Sequence, residues 1–259
     1  MINILCIGDV VGQIGCEFIR KHLPALKKLK NIDITIANGE NSGNSNGITP
    51  SSARHLFDSG VDVITGGNHT FKQREVYEFL DLGQPITRPA NYPNSAPGSG
   101  IVYVDKGRYT AAVINVIGVA YMDPLSCPFE AADKLIAEAK KTGAKIIIAD
   151  IHAEATSEKR AMGFYLDGKI SALFGTHTHV QTADEQILPG GTGYITDLGM
   201  TGPINSVLGI KPAIAIAKLK DKLPVRHENA GPPCMINACI FEIDENTGLC
   251  QSVERLMIT

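Results

Sequence analysis

Short apolar runs rich in β-branched residues recur along the first part of the chain and stop at polar or glycine-rich turns. Runs of this length without alternating polar positions are typical of strands that are covered on both faces of a sheet. The predicted strands are residues 2–7, 32–37, 61–65, 111–117, 145–149 and 170–174.

Segments with helical spacing of apolar positions separate these runs, at residues 15–29, 49–59, 72–80 and 128–141. Thr49 followed by Pro50 predicts a helix start, with threonine as the N-cap and proline at the first helical position. The alternation of strands and helices predicts a layered α/β fold.

The C-terminal part of the chain differs from the rest. Residues 234–243 and 251–258 are predicted to be strands of a hairpin, joined by an Asp-Glu-Asn-Thr-Gly turn. No linker and no internal repeat divides the sequence. We therefore expect a single domain over residues 1–259.

Composition narrows the class of protein. The chain has 259 residues, 44% hydrophobic and 20% charged, which is typical of a soluble globular protein. The net charge is -3, whereas nucleic-acid-binding domains are typically strongly basic, so direct nucleic-acid binding is not expected. The sequence contains neither a signal-peptide pattern nor an apolar run long enough for a bilayer, and its six cysteines form no C-x-x-C pair. We expect a cytoplasmic protein with buried, reduced thiols and no membrane partner.

Metal-competent side chains follow five of the predicted strands. They are Asp9 after the first, Glu40 and Asn41 after the second, Asn68 and His69 after the third, His152 after residues 145–149, and His177 and His179 after residues 170–174. Because ligands of open α/β sheets bind outside the carboxyl ends of the strands, we expect these side chains to share one cleft. His177 and His179 are two residues apart, and on an extended strand both would project toward the same site. The other histidines, His22, His55 and His227, are interpreted as ordinary surface or helix residues.

The types of these side chains indicate the metal chemistry. Imidazole, carboxylate and amide groups without thiolate favour Fe, Mn, Zn or Co over Ca. Leaving His69 aside, seven candidate ligands exceed what one ion needs, which indicates two ions bridged by a carboxylate. Glu40 is the natural bridge.

The order of these blocks resembles the calcineurin-like metallophosphoesterase superfamily, whose pattern runs D-x-H, G-D-x-x-D, G-N-H-[DE], H and G-H-x-H. It is more similar to the YmdB-type branch, with G-D-V-V-G, N-G-E-N, G-N-H and T-H-T-H between about residues 4 and 199. Val11 stands in place of a metal-binding histidine of the wider superfamily, and Thr70 in place of an acid. Both departures also occur in the YmdB-type branch.

The resemblance implies an α/β/β/α sandwich with its metal site at the C-terminal ends of the strands. It implies that Asp9, Glu40, Asn41 and His179 bind a first metal, and that Glu40, Asn68, His152 and His177 bind a second. Iron or manganese is the expected metal, with Mg, Zn and Co as alternatives.

The function implied by the resemblance is a phosphodiesterase acting on cyclic nucleotides of the 2′,3′ or 3′,5′ form. Metal-activated hydroxide would attack phosphorus, and His69 would serve as the general acid. Tyr92, Tyr121 and Tyr194 are the candidates for stacking on a base.

Two other functions fit the same residues. They are a phosphomonoesterase, and a regulatory module that binds metal and phosphate with little turnover. A dinucleotide-binding fold fits poorly, because the glycines after the first strand are spaced G-x-x-x-G-x-x-G. A homo-oligomer is expected only on the general ground that most soluble oligomers are symmetric.

Overall fold

The computed structural model describes residues 1–44, 46–226 and 228–259. In chain order, the strands are β1 (Ile2–Ile7), β2 (Asp9–Val10), β3 (Ile34–Asn38), β4 (Val63–Thr65), β5 (Ile101–Asp105), β6 (Thr110–Ile117), β7 (Ile146–His152), β8 (Ala172–Thr176), β9 (Gln186–Ile187), β10 (Gly193–Ile195), β11 (Met200–Pro203), β12 (Cys234–Ile243) and β13 (Cys250–Ile258). The helices are α1 (Gly12–Leu29), α2 (Pro50–Asp58), α3 (Val76–Asp81), α4 (Pro128–Lys141), α5 (Thr156–Leu166) and α6 (Pro212–Asp221).

The strands form two sheets. The first has the order β2-β11-β12-β1-β3-β4, with β13 paired to β12, and the second has the order β5-β6-β7-β8-β10-β9. Within each sheet the ligand-bearing strands are parallel: β1 pairs with β3 and β3 with β4, and β7 pairs with β8. Their C-terminal ends therefore lie at the same edge of each sheet.

Three apolar layers hold the sheets and helices together. Ile4 and Ile36 of the first sheet pack with Ile148 and Phe174 of the second, in a layer of side chains that lies between the sheets. The opposite face of the first sheet packs against α1, α2 and α3, and that of the second sheet against α4 and α5. This α/β/β/α arrangement confirms the fold class, and it explains why most strands are apolar on both faces.

The element predictions held best where local signals are strong. Helix α4 and strands β1 and β12 have the predicted bounds, and Thr49 caps α2 by accepting a hydrogen bond from the backbone N–H of Ser52. Helices α5 and α6 were not predicted. Helix α6 buries only one residue, Ala215. A helix with so little buried surface needs no apolar stripe, and its sequence shows no clear one.

The remaining sequence expectations concern single residues. All six cysteines are free and five are buried, whereas Cys127 is exposed, contrary to the expectation of buried thiols. His22 and His55 lie in α1 and α2 as expected, and His227 lies outside the described residues. Among the described residues, no helix combines the length and apolar character needed to cross a membrane.

Candidate metal centre

All eight predicted site residues meet where the C-terminal edges of the two sheets adjoin. The first sheet contributes Asp9 in β2, Glu40 and Asn41 after β3, and Asn68 and His69 after β4; the second contributes His152 at the end of β7, and His177 and His179 after β8. The cleft is thus shared between two sheets, whereas the sequence argument placed it at the edge of one.

One group of donor atoms surrounds the Nε2 atom of His152. This atom lies 2.8 Å from Asn68 Oδ1, 3.1 Å from His177 Nδ1 and 3.4 Å from Glu40 Oε2. The donor atoms of Glu40, His152 and His177 all lie within 4.8 Å of one another. Four side chains from four separate loops and strands therefore present nitrogen and oxygen atoms to a common point.

A second group of donor atoms lies on the other side of Glu40. His179 Nε2 is 3.6 Å from Asp9 Oδ1 and 3.3 Å from Asn41 Nδ2. Asn41 Nδ2 in turn lies 2.9 Å from Glu40 Oε1. In this orientation the Asn41 amide presents its nitrogen to this group, while its oxygen faces His69 Nδ1. Glu40 faces both groups, one through each of its carboxylate oxygens.

The imidazole of His152 is held in one tautomer by a chain of hydrogen bonds. Its Nδ1 lies 2.8 Å from Thr176 Oγ1, and that hydroxyl donates to Asp150 Oδ1 at 2.8 Å. With its own proton directed at Asp150, the Thr176 hydroxyl is placed to accept a proton from His152 Nδ1. The lone pair of His152 then lies on Nε2 and faces Glu40, Asn68 and His177.

The other two imidazoles are fixed in the same way by acceptors on their outer sides. His177 Nε2 lies 3.1 Å from a carboxylate oxygen of Glu154, and His179 Nδ1 lies 3.3 Å from the Leu208 carbonyl oxygen. Carboxylates and carbonyls accept, so each of these ring nitrogens carries the proton. In the tautomers that these acceptors favour, the nitrogen that faces the cleft is unprotonated in all three histidines.

Electrostatics keep these imidazoles neutral. Burial lowers the pKa of all three, and it lowers that of His152 to about 3. Burial also favours the neutral form of Glu40, but His152 and His69 outweigh this effect and lower the pKa of Glu40 to about 2. At neutral pH the centre thus combines an ionised Glu40 with neutral imidazoles.

Asp9 lies close to other carboxylates in this centre. Burial, and then the nearby Asp197 and Glu40, raise the pKa of Asp9 well above its usual range. Its Oδ1 atom is buried without a hydrogen-bond partner in the described part of the chain. A cation would satisfy that oxygen and compensate the clustered carboxylates, so the donor set fits metal ions of the Fe, Mn or Zn type.

Gly67 preserves the space between the donor atoms. A Cβ atom at this position would lie 2.3 Å from Glu40 Oε2 and 2.4 Å from His152 Nε2. Any side chain there would enter the space that the donor atoms surround. The glycine next to Asn68 therefore has a steric role in the centre.

The His177-Thr178-His179 segment reaches the centre by a route other than the predicted one. The prediction placed both histidines on a strand, where alternate residues point the same way, but β8 ends at Thr176. His177 has a φ of 98° and His179 a φ of 64°, a conformation that side-chain-bearing residues seldom adopt. The bent backbone directs the two rings to different donor groups, which regular strand geometry would not achieve.

His69 borders both groups without joining either. Its Nδ1 lies 2.8 Å from Asn41 Oδ1 and 3.1 Å from Glu40 Oε1, and its backbone N–H donates to Glu40 Oε2 at 2.7 Å. Its side chain is 25% exposed and lines the cleft. With Nδ1 directed at these acceptors, Nε2 is the ring nitrogen left for a ligand.

The walls of the cleft include residues that sequence reasoning did not assign, namely Asn46, Glu154, Leu208, Ile210 and Asn229. Among the stacking candidates, Tyr194 was wrong because its ring is fully buried. Tyr121 is 92% exposed and is not among the residues lining the cleft. Tyr92 is partly buried and packs edge-on against Phe71.

Sequence reasoning also missed the residues that support the imidazoles, Asp150, Thr176 and Glu154. Asp150 did carry a signal, since a carboxylate interrupts the apolar run two residues before His152. Thr176 and Glu154 carried none, because their roles depend on contacts between strands.

Comparison with known proteins identifies related sequences. Residues 5–256 match the family model of the YmdB-like proteins. A Bacillus subtilis protein named 2′,3′-cyclic-nucleotide 2′-phosphodiesterase is 46% identical over 256 residues, covering 99% of this chain and 97% of that protein.

Two solved structures share the fold over nearly the whole chain. A hypothetical protein from Thermus thermophilus superposes with a TM-score of 0.93 at 37% identity, covering 99% of both chains. A protein from Mycoplasma pneumoniae, described as a novel phosphatase, superposes with a TM-score of 0.92 at 32% identity, covering 99% of this chain and 93% of that one.

Proposed function

This chain belongs to the YmdB-like family, and on that premise we propose that it is a dinuclear metal-dependent phosphodiesterase acting on cyclic nucleotides. The observation that carries the proposal is the set of three imidazoles, each with its outer nitrogen bound and its inner nitrogen free to bind a metal. The name of the Bacillus subtilis relative supports the 2′,3′-cyclic form as the first substrate to test.

The residues of the two donor groups would hold two metal ions, with Glu40 between them. Asp9, Asn41 and His179 belong to the first ion, and Asn68, His152 and His177 to the second. When bound, such ions supply Lewis acidity, which activates water and neutralises charge on a phosphate. Iron and manganese agree with this mixed donor set.

His69 acts as the general acid in this proposal. Glu40 Oε1 lies 3.1 Å from Nδ1 and is placed to accept a hydrogen bond from it. His69 then donates its Nε2 proton to the ribose oxygen that leaves phosphorus, and it keeps the Nδ1 proton toward Glu40. Without that proton the leaving group would be an alkoxide, whose formation is costly at neutral pH.

Hydrolysis assays with manganese- or iron-loaded protein test the proposal. The substrates are 2′,3′-cyclic AMP, 3′,5′-cyclic AMP, bis(p-nitrophenyl) phosphate and p-nitrophenyl phosphate. We expect turnover of the cyclic diesters and of the chromogenic diester. Turnover of the monoester alone would indicate a phosphatase, and turnover of none would leave a metal- and phosphate-binding module.

The His69→Ala variant tests the role of the general acid. Removing the proton donor should lower kcat for the cyclic nucleotides by about 100-fold or more. It should affect bis(p-nitrophenyl) phosphate much less, because nitrophenolate leaves without a proton. Metal content measured on the same preparation is the control, and equal losses on both substrates at full metal content would contradict the assignment.

A further inference from the structure

A second cleft lies outside the candidate metal centre, between residues 88–94 and the N-terminal end of α4. Its polar lining consists of Arg88, Asn91, Ser126, Glu130 and Lys134, together with Tyr92 and Asn94. None of these side chains belongs to the eight residues of the candidate metal centre. The proposed function therefore leaves this cleft without a role.

Arg88 is a buried cation that has no acidic partner among the described residues. The residue is only 7% exposed, and its Nη1 donates to the carbonyl oxygens of Pro89 and Ala90 at 2.8 Å and 3.2 Å. Its Nε is buried with no hydrogen-bond partner in the described part of the chain. Burial lowers the pKa of the guanidinium, and no nearby carboxylate among the described residues offsets that effect. Because burying an unpaired charge is costly, the site favours an anion.

Helix α4 adds positive potential to the same cleft. Its N-cap residue, Cys127, makes no capping hydrogen bond through its side chain, and Pro128 occupies the first helical position. The N-terminus of a 14-residue helix carries partial positive charge and attracts anions. Lys134 lines the cleft from the same helix, while Glu130 is the one acid among the lining residues.

Asn91 keeps the walls of this cleft in a fixed geometry. Its Oδ1 accepts from the backbone N–H of Ile117 at 2.9 Å, and its Nδ2 donates to the carbonyls of Ile117 and Ser126 at 2.8 Å and 3.0 Å. All the hydrogen-bonding groups of this amide are thus used to join the end of β6 to the loop that precedes α4. The cleft is preformed and would lose little entropy on binding a ligand.

We propose that this second cleft binds a phosphate group between Arg88 and Lys134, at the N-terminus of α4. The two cations outweigh Glu130, and a guanidinium with an ammonium is a common arrangement for phosphate recognition. The phosphate could belong to a free phosphorylated metabolite or to a nucleotide that also reaches the metal centre. This proposal does not depend on the proposed activity.

Equilibrium dialysis of the metal-loaded protein against radiolabelled inorganic phosphate tests the proposal. The wild type should show two classes of phosphate site, one at the metal centre and one at the second cleft. Lys134→Gln and Arg88→Lys should each weaken one class by about tenfold, because the first removes a cation and the second replaces the planar guanidinium by an ammonium with a different donor geometry. Lys141→Gln, an exposed lysine near the end of the same helix, is the matched control and should change neither class.

Lys134 is exposed, so its variant keeps the test decisive even if Arg88→Lys folds poorly. A single class of phosphate site, equal in the wild type and Lys134→Gln, would overturn the proposal. The source of the phosphate is distinguished by kinetics with 2′,3′-cyclic AMP, with and without an added 5′-phosphate. If Lys134→Gln raises KM only for the 5′-phosphorylated substrate, the cleft extends the substrate site; if KM is unchanged for both, the cleft binds a separate phosphate.

Discussion

At the scale of single residues, the candidate metal centre depends on what each side chain contacts behind the donor atoms. Thr176 Oγ1 lies between Asp150 and His152, where it favours the tautomer that is protonated at Nδ1. Burial raises the pKa of Asp150 to about 7, although hydrogen bonds from Thr65, Thr176 and Asn38 oppose this effect. We therefore expect Thr176, which binds no metal in the proposed scheme, to affect metal affinity.

Replacing Thr176 by valine tests that role. The change keeps the shape of the side chain but removes the acceptor of the His152 Nδ1 proton, so the ring is free to adopt the other tautomer. We expect metal affinity to fall by about 10- to 100-fold, as measured by competition with a chelator. Thr176→Ser, which restores the hydroxyl, should recover most of the affinity. Equal affinities for valine and wild type would contradict the role of the hydroxyl.

Gly67→Ala tests the steric argument. The added methyl carbon would lie 2.3 Å from Glu40 Oε2 and 2.4 Å from His152 Nε2, well inside van der Waals contact. We expect metal content, measured by elemental analysis, to fall by about tenfold or more, while the circular dichroism spectrum stays that of the wild type. Gly231→Ala is the control, because a Cβ there meets nothing within 4 Å. Full metal content in Gly67→Ala would show that the donor groups close around a different point.

At the scale of elements, the segment between β8 and β10 carries His177 and His179 and contains little regular structure. Asp184 anchors it by accepting from the backbone N–H and the hydroxyl of Thr196 at 3.1 Å and 2.6 Å, and from the Thr182 hydroxyl at 2.7 Å. Burial opposes ionisation of Asp184, but these hydrogen bonds outweigh it and lower its pKa. The ionised carboxylate thus stabilises the segment that presents the two histidines.

Asp184→Asn should lower the free energy of unfolding by about 1–2 kcal/mol at pH 7, a modest value because the side chain is one-third exposed. The pKa of Asp184 is lower in the folded than in the unfolded state. Its contribution is therefore present above the unfolded value of about 3.9 and lost as pH falls through the folded value. Urea unfolding at pH 7 and at pH 3 should show that the difference in unfolding free energy from the wild type shrinks at low pH.

Glu138→Gln, at an exposed position of α4, is the control and should show no comparable effect. A difference that stays constant with pH would assign the effect to packing.

The bounds of elements show where local sequence information ends. Strand β7 was predicted to stop at residue 149 but continues to His152, since Ile151 and His152 pair with Gly175 and Thr176 of β8. The polar Asp150 broke the apolar pattern, and only the pairing between strands kept these residues extended. Helix α5 was missed for a related reason, because Lys159 is buried by an ion pair with Asp197 and interrupts the apolar face.

At the scale of the whole molecule, the candidate metal centre joins the two sheets. Asp9 and Glu40 come from the first sheet and the three imidazoles from the second. Bound metal should therefore stabilise the folded protein against unfolding, by about 2.7 kcal/mol at a free metal concentration 100 times the Kd. The expectation of a single domain over residues 1–259 stays a prediction.

Asp9→Asn separates the effect of the metal from that of the buried charge. The pKa of Asp9 is raised in the folded protein, so ionisation of this carboxyl at pH 7 opposes folding. In the presence of a chelator, the variant should unfold at a higher temperature than the wild type. Added manganese should raise the Tm of the wild type by several degrees and that of the variant much less. Equal shifts of both proteins in calorimetry would contradict the assignment of Asp9 as a ligand.

The sequence by itself determined the fold class, the family and the set of side chains that meet at the cleft. The layered fold and the cleft follow from local chemistry, because apolar runs form covered strands and polar groups collect where the strands end; the family follows from the resemblance of the motif blocks. Only the tertiary structure decided that two sheets share the centre, that Thr176, Glu154 and the Leu208 carbonyl orient the imidazoles, and that the backbone at His177 and His179 departs from strand geometry. Such features depend on distances between residues far apart in the chain, and the spacing of residue types along a sequence does not encode those distances.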